Sequence, residues 1–176
     1  MKVLLSEPQL RDGVARMARQ IAASYAGCTP TIVGVLTGSV VLVADLIRLL
    51  DLPLRVAFVH ASSYRGPTTR RGPLSINAEL LPDIRGRDVL LVDDIFDTGH
   101  TLVELLALIR QLGPTSVRSA VLLSKQGRSE VDVVPDFVAF AIPDEFVVGY
   151  GLDYHDQYRN LPYVAALEAA DIGRGA

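Results

Sequence analysis

The chain has 176 residues and a formal net charge of −3, with 49% hydrophobic and 21% charged residues. This length predicts a single domain, residues 1–176, and the acidic balance provides no general attraction for nucleic acid or anionic membranes. The single cysteine, Cys28, excludes an internal disulfide and any site built from several thiolates. Only two of the 17 basic residues are lysines, Lys2 and Lys125, so a lysine in the interior of the chain needs an explanation.

The first third of the chain alternates helices and strands. Ser6 and Gln9 have the spacing of a capping box, and apolar residues then recur at helical spacing. A continuous apolar run follows, as is typical of a strand buried on both faces. The predicted elements are, in order, a helix at 6–27, a strand at 31–36, a turn at 37–39, a helix at about 40–50 and a strand at 54–62.

The rest of the chain continues this alternation after an interruption. The predicted elements are an exposed mobile loop at 64–72, a strand at 88–92, a helix at about 99–112, a strand at 117–123 and, from residue 133, short strands and turns. Strands and helices in alternation with short connections favour an α/β fold with a mainly parallel sheet. Ligands of such sheets bind at the carboxyl ends of the strands.

We expect a cytoplasmic protein with no membrane partner. The first eight residues contain too short an apolar stretch for a signal peptide. The longest apolar runs, such as 40–44 and 89–92, end at aspartates and are far shorter than the roughly 20 residues that cross a bilayer.

The most informative stretch is 89–102, VLLVDDIFDTGHTL. A hydrophobic strand leads to Asp93 and Asp94, and a turn of small and hydroxylic residues follows at 97–101, where a helix begins. Such a turn directs backbone N–H groups and the helix dipole at an anion, and the two aspartates can accept hydrogen bonds from vicinal hydroxyls. Helix capping alone would not require three acids. The stretch therefore predicts a ribose 5-phosphate site, and neither a P-loop nor a dinucleotide-binding glycine motif is present.

These residues resemble the phosphoribosyl diphosphate (PRPP) motif of type I phosphoribosyltransferases. Residues 135–154 are similar to the purine-binding hood of the hypoxanthine branch of that family, 33–39 to its diphosphate loop, and Ser63-Tyr64 to its mobile catalytic loop. The resemblance implies a type I phosphoribosyltransferase-like fold, with a mainly parallel central sheet flanked by helices. It also implies a lid at about 63–75 and a small base-binding hood at about 135–176.

The resemblance implies purine salvage: a Mg²⁺-dependent transfer of the phosphoribosyl group from PRPP to hypoxanthine or guanine, which yields IMP or GMP and diphosphate. It further implies a homodimer or homotetramer whose partners are small molecules rather than nucleic acid. A regulator that senses PRPP or nucleotides on the same fold is the alternative. The hood argues against adenine and uracil as substrates, while xanthine stays open as a side substrate.

By the same resemblance, each candidate residue receives a role. Asp97 would be the general acid or base at the purine ring, and Ser63 and Tyr64 would begin the lid. The ribose and its 5′-phosphate would be bound by Asp93, Asp94, Asp97, Thr98, Gly99, His100 and Thr101. The diphosphate would be bound by Thr37, Gly38, Ser39 and Arg159. Mg²⁺ would be bound by Asp153, Asp93 and Asp94. The base would be bound by Lys125, Phe146 and the backbone of Val147.

Lys125 is the candidate determinant of base specificity. A lysine has donors only, so it favours a purine with a 6-oxo group over one with a 6-amino group. Each of these residues also has an alternative without a binding role. Lys125 would then be a solvated lysine, Phe146 an ordinary core aromatic and Arg159 a surface arginine. Thr37 departs from the family, much of which has a lysine in this loop. Two interpretations stay open for the loop that contains Arg65, Arg70 and Arg71. These arginines contact diphosphate, or the loop is simply solvated.

Overall fold

The computed structural model describes residues 1–63, 74–168 and 171 of the chain. Its elements are β1 (Lys2–Leu5), α1 (Glu7–Ser24), β2 (Thr31–Leu36), α2 (Val40–Leu49), β3 (Arg55–Ser63), β4 (Leu74–Asn77), β5 (Asp88–Phe96), α3 (His100–Gln111), β6 (Ser116–Lys125), β7 (Phe137–Ile142), β8 (Val147–Val148) and β9 (Val164–Ala166).

A six-stranded sheet in the order β4-β3-β2-β5-β6-β7 forms the centre of the fold. All neighbouring strands are parallel except β4, which pairs antiparallel with β3. The expected α/β architecture with a mainly parallel sheet is thereby confirmed. Because β2 and β5 are neighbours, the loops that follow their carboxyl ends lie side by side.

The two faces of the central sheet are covered by different helices. Ile32 and Leu90 point to one face and pack in a hydrophobic core with residues of α1 and α2. Val33 and Leu91 point to the other face and pack with residues of α3. Side chains of a strand alternate between faces, so a continuous apolar run fills both cores. This explains why β2 and β5 show no polar alternation.

The predicted capping box is present at the beginning of α1. The Ser6 backbone N–H donates to Gln9 Oε1 at 2.9 Å, as a capping box requires. The Ser6 hydroxyl donates to the same oxygen at 2.8 Å, and the Ser6 side chain lies against the backbone of Gln9, which completes the capping box. Beyond the end of α1, the Tyr25 hydroxyl donates to the carbonyl of Val89 at 3.1 Å and ties the helix to β5.

A second, three-stranded antiparallel sheet has the order β1-β9-β8. It combines the first strand of the chain with strands near its end, a pairing that the sequence did not predict because β1 is too short for a periodic signal. In contrast, β7 joins the central sheet, so the predicted hood segment at 135–176 divides between the two sheets. Lys2 lies 3.5 Å from Glu145 and links β1 to the loop before β8.

Two strand predictions need correction. The strand predicted at 88–92 continues as β5 to Phe96, because its backbone still pairs with β6 after the apolar run has ended, with Ile95 opposite Leu123. Asp93 and Asp94 therefore lie within the strand rather than after it. β6 likewise continues to Lys125, and β4 was not predicted at all.

The proposed lid lies mainly outside the described residues. Ser63 ends β3, whereas Tyr64, Arg65, Arg70 and Arg71 belong to a range that the structure does not describe. Within the described ranges, none of the helices has the length and apolar composition that crossing a bilayer would require.

Candidate active site

A cleft of about 310 Å³ lies at the carboxyl ends of β2 and β5. It brings together residues from the predicted diphosphate loop, the phosphate turn and the end of the chain. The predicted site residues that line it are Thr37, Gly38, Asp93, Asp94, Asp97, Thr98, Gly99, Thr101, Asp153 and Arg159. The cleft is therefore where the parallel-sheet rule places a ligand site.

The phosphate turn depends on Gly99, which immediately precedes α3. Its φ of 89° lies in the left-handed region, where a glycine is strongly favoured. A β-carbon at this position would also overlap the side chain of Val131. Since the first turn of a helix leaves its N–H groups without partners inside the helix, the start of α3 presents donors to the cleft.

Asp93 and Asp94 are adjacent carboxylates at the floor of the cleft. Asp93 is 9% exposed and accepts a 2.9 Å hydrogen bond from the backbone N–H of Asp94. Burial raises the pKa of Asp93 well above its usual range, and the charge of Asp94 raises it further. Burial also raises the pKa of Asp94, against the opposing effects of Asp93, the Ile95 backbone and Arg159. This unfavourable negative charge is relieved by hydroxyl donors or by a cation.

The predicted diphosphate loop reaches the cleft through Thr37 and Gly38. Gly38 packs against Asp94 so closely that a β-carbon would overlap the carboxylate. Ser39, in contrast, is fully buried and does not line the cleft. Its hydroxyl and its backbone N–H both donate to the carbonyl of Val35, at 2.7 and 3.3 Å. Ser39 therefore supports the start of α2 instead of presenting donors to a ligand.

Arg159 and Asp153 form an ion pair at the rim of the cleft. Arg159 Nη2 lies 2.8 Å from Asp153 Oδ1, and Arg159 Nη1 donates to the carbonyl of Gly151 at 2.8 Å. Gly149 and Gly151 have φ values of 95° and 100°, which allow this loop to turn tightly beside the cleft. The predicted metal ligand and the predicted diphosphate ligand are thus each other's partners.

A second pocket of about 200 Å³ adjoins the cleft. It is lined by Asp94, Ile95, Asp97, Lys125, Phe146, Val147, Leu152 and Asp153. Four of these residues, Asp94, Ile95, Asp97 and Asp153, also line the cleft. The structure therefore places the three predicted base-binding residues beside the predicted phosphate site, and we refer to this second pocket as the base pocket.

Lys125 and Phe146 do not fit the alternatives considered for them. Lys125 is only 11% exposed, and its Nζ lies 3.5 Å from Asp97 Oδ2 and 3.3 Å from Asp144 Oδ1. Phe146 is 46% exposed and contacts Tyr154 edge to face, with ring centroids 5.6 Å apart. The lysine is therefore not a solvated surface side chain, and the aromatic ring is not part of the core.

Two contacts with the phosphate turn were not predicted. Arg128 Nε lies 3.0 Å from Asp97 Oδ1, and Glu130 Oε2 lies 3.0 Å from His100 Nε2. The ring of His100 is thus paired outside the cleft. Arg128 and Glu130 lie in an irregular segment after β6 that carries no motif. Their charge alone does not distinguish them from other surface residues, so no sequence signal marked them.

Comparison with known proteins identifies relatives along almost the whole chain. A model of the phosphoribosyl transferase domain family matches residues 2–155. The chain is 41% identical over 167 residues to a hypoxanthine-guanine phosphoribosyltransferase of Streptococcus pneumoniae, covering 95% of this chain and 93% of that relative. It is 42% identical over 173 residues to a hypoxanthine phosphoribosyltransferase of Salmonella typhimurium, covering 97% of each chain.

The fold is similar to that of a crystal structure from Bacillus anthracis. That structure is a hypoxanthine-guanine phosphoribosyltransferase with a HEPES molecule in its active site. The two chains are 38% identical, with a TM-score of 0.89, and the match covers 96% of this chain and 99% of that one.

Proposed function

The chain belongs to the phosphoribosyl transferase domain family, and from this premise we propose that it transfers the phosphoribosyl group of PRPP to hypoxanthine or guanine. The observation that carries this proposal is the union of two neighbouring pockets. A cleft with a phosphate turn and a pocket with a largely buried lysine share Asp94, Ile95, Asp97 and Asp153. A ribose bound between the two pockets would have its 5′-phosphate in the cleft and its C1 atom toward the base pocket.

The reaction forms one bond and breaks another at the ribose C1 atom. The electron pair of a purine ring nitrogen forms the C1–N bond, and the C1–O bond breaks with its electron pair leaving on diphosphate. The ring N–H proton passes to a carboxylate and then to solvent. Asp97 is the carboxylate that we assign to this step, because it lines both pockets and is the one shared carboxylate that lies beside Lys125, with Oδ2 3.5 Å from Nζ.

Purine recognition in this proposal rests on Lys125 and Phe146. The ammonium group of Lys125 has three donors and contacts two carboxylates, which leaves one donor for the 6-oxygen of hypoxanthine or guanine. A 6-amino group would leave a donor facing a donor, and such a mismatch strongly disfavours adenine. Phe146 offers an exposed aromatic face for stacking, and the backbone of Val147 lies at the edge of the base.

The ribose hydroxyls and the 5′-phosphate have distinct partners. Asp93 and Asp94 accept from the hydroxyls, which relieves the unfavourable charge that the two buried carboxylates create. The phosphate turn surrounds the 5′-phosphate at the start of α3. It consists of Asp97, Thr98, Gly99, His100 and Thr101. Thr37, Gly38 and Arg159 face the diphosphate, and Ser39 holds the loop in place through Val35.

We assign Mg²⁺ as the cofactor on the chemistry of the donor set. The described residues contain no group of three or more His, Cys, Asp or Glu side chains that could hold a metal by itself. Mg²⁺ at phosphate-transfer sites binds one or two carboxylates and completes its shell with substrate oxygens and water. Asp153 and the Asp93–Asp94 pair fit that requirement. When bound, the ion neutralises the departing diphosphate.

A panel of bases tests the proposed function. Hypoxanthine, guanine, xanthine and adenine are each incubated with PRPP and Mg²⁺, and nucleotide formation is followed by absorbance. We expect turnover of hypoxanthine or guanine and at least a hundredfold lower kcat/KM for adenine. Turnover of none of these bases would overturn the proposal. The regulator alternative predicts that outcome, and the relatives give it no support.

Three further expectations remain part of the proposal. They are a homodimer or homotetramer, a cytoplasmic location and a single domain over residues 1–176. Size-exclusion chromatography with light scattering measures the first directly.

A further inference from the structure

An irregular segment after β6 lies across the phosphate turn. This segment, residues 126–131, is here called the strap. Two backbone hydrogen bonds hold it in place. The N–H of Gln126 donates to the carbonyl of Ile142 at 2.9 Å, and the N–H of Glu130 donates to the carbonyl of Thr98 at 3.0 Å. The strap is thereby fixed both to β7 and to the phosphate turn.

The strap contacts four consecutive residues of the phosphate turn. Arg128 binds Asp97, and Glu130 binds the backbone of Thr98 and the ring of His100. The side chain of Val131 lies where a β-carbon of Gly99 would be. Of these four residues, only Asp97 has a side chain with a proposed role in proton transfer, and Arg128 is its partner in the strap.

Arg128 approaches Asp97 from outside the base pocket. Its Nε atom lies 3.0 Å from Asp97 Oδ1, while Lys125 Nζ lies 3.5 Å from Asp97 Oδ2. Lys125 lines the base pocket and Arg128 does not. Asp144 contacts the same two cations, at 3.3 Å from Lys125 and 3.6 Å from Arg128, so two cations and two anions alternate around a ring. The hydrogen bond to Asp97 raises the pKa of Arg128, and a guanidinium is charged at any working pH.

We infer that Arg128 is a positioning residue that orients Asp97 for proton transfer from the purine, an inference that rests on the proposed function. The Nε–H of Arg128 donates to Asp97 Oδ1, and this charge-assisted hydrogen bond restricts the rotation of the carboxylate. Oδ2 is then directed toward the base pocket, where the ring N–H proton leaves as the C1–N bond forms. A misdirected carboxylate loses rate by geometry alone, and a displacement of about 1 Å costs up to roughly a hundredfold.

Steady-state kinetics of Arg128→Gln, Arg128→Lys and Arg19→Gln test this role. Arg19 is an exposed arginine on α1, so its variant removes the same charge away from the site. We expect Arg128→Gln to lower kcat/KM for hypoxanthine by about 10- to 100-fold, while the Kd for PRPP changes by less than about threefold. Arg128→Lys should recover part of the loss, and Arg19→Gln should behave as the unaltered protein.

A substrate comparison and a double-mutant cycle separate positioning from a general structural effect. The ring N–H of 8-azahypoxanthine is more acidic than that of hypoxanthine, so its turnover should fall less in Arg128→Gln. In an Asp97→Asn background, adding Arg128→Gln should change kcat/KM by less than about twofold, because the partner of Arg128 is already altered. The cycle remains informative even if Arg128→Gln lowers Tm, since a structural effect would persist in that background.

The outcomes distinguish a failure of the positioning role of Arg128 from a failure of the proposed function. If the unaltered protein turns over hypoxanthine and Arg128→Gln is equally active, the positioning role is wrong and the proposed function stands. An equal loss for both bases, or a full loss from Arg128→Gln in the Asp97→Asn background, also contradicts positioning. If the unaltered protein turns over no base, the proposed function fails and this role fails with it.

Discussion

Gly151 packs directly against the carbonyl oxygen of Gly38, and a β-carbon at residue 151 would overlap that oxygen. Gly38 in turn packs against the carboxylate of Asp94. The loop that carries Asp153 and Arg159 is therefore seated on the diphosphate loop, which is seated on β5. Three segments that are distant in sequence meet in one stack because two of the contacting residues lack a side chain.

A substitution at Gly151 should impair PRPP binding beyond its effect on stability. Gly151→Ala introduces left-handed strain at φ 100° and also displaces the backbone of Gly38. Gly27 has φ 78°, and a β-carbon there would meet no packing neighbour within 4 Å, so Gly27→Ala introduces the strain alone. We expect Gly27→Ala to lose about 1–2 kcal/mol of unfolding free energy and Gly151→Ala to lose more, because of the overlap. Only Gly151→Ala should weaken PRPP binding, by at least about tenfold in calorimetry. Equal PRPP affinities of the two variants would contradict a role for the Gly151–Gly38 contact in binding.

Lys125→Gln should reduce the discrimination between 6-oxo and 6-amino purines. A glutamine amide offers both a donor and an acceptor, so adenine no longer meets an unmatched donor. We expect the ratio of kcat/KM for hypoxanthine to that for adenine to fall by roughly 100-fold, with a smaller change in the Kd for PRPP. Lys2→Gln removes the only other lysine, which is 64% exposed and paired with Glu145, and should leave the ratio unchanged. An equal loss of base preference and PRPP binding would contradict the assigned role of Lys125.

Thr37→Lys should tighten PRPP binding. Thr37 is exposed at the cleft, so a lysine there adds a positive charge toward the diphosphate. We expect a gain of about three- to tenfold in affinity, which should shrink as salt screens the added charge. Gln20→Lys adds the same charge on an exposed position of α1 and serves as the control. Calorimetric titrations at two salt concentrations measure the effect, and an unchanged Kd for PRPP at low salt would contradict it.

Asp93→Asn should stabilise the fold at neutral pH while weakening ribose binding. Burial raises the pKa of Asp93, so the folded state retains a proton that the unfolded chain loses near its usual pKa. The cost of the carboxylate is therefore absent below about pH 4 and increases as pH rises, until it levels off above the raised pKa. We expect Tm of Asp93→Asn to exceed that of the unaltered protein by on the order of 3 °C at pH 7.5.

The pH dependence of this difference provides the decisive measurement. Thermal unfolding between pH 4 and pH 8 should show the advantage of Asp93→Asn disappearing toward the acidic end. Asp12, which is 78% exposed on α1, provides a matched Asp→Asn control with little expected change. A constant difference across this range would show that burial of the charge is not the cause.

Local patterns in the sequence determined most of the fold and the chemistry of the cleft. The apolar runs of β2 and β5 predicted buried parallel strands, and the turn from Asp97 to Thr101 predicted a phosphate site at the start of a helix. These features depend on neighbouring residues, since hydrophobic period, helix capping and loop composition are all local properties. The composition contributes one further indication, because Lys125 is one of only two lysines in the chain.

Only the tertiary structure decided which distant residues meet. The pairing of β1 with β9 and the contact of Arg128 with Asp97 join segments that carry no matching local signal. Backbone pairing extended β5 past its apolar run and placed Asp93 and Asp94 within the strand. Such contacts are selected by the packing of the whole chain rather than by local propensity. The sequence therefore predicted the chemistry of the site from local motifs, and long-range packing decided which side chains lie beside those motifs.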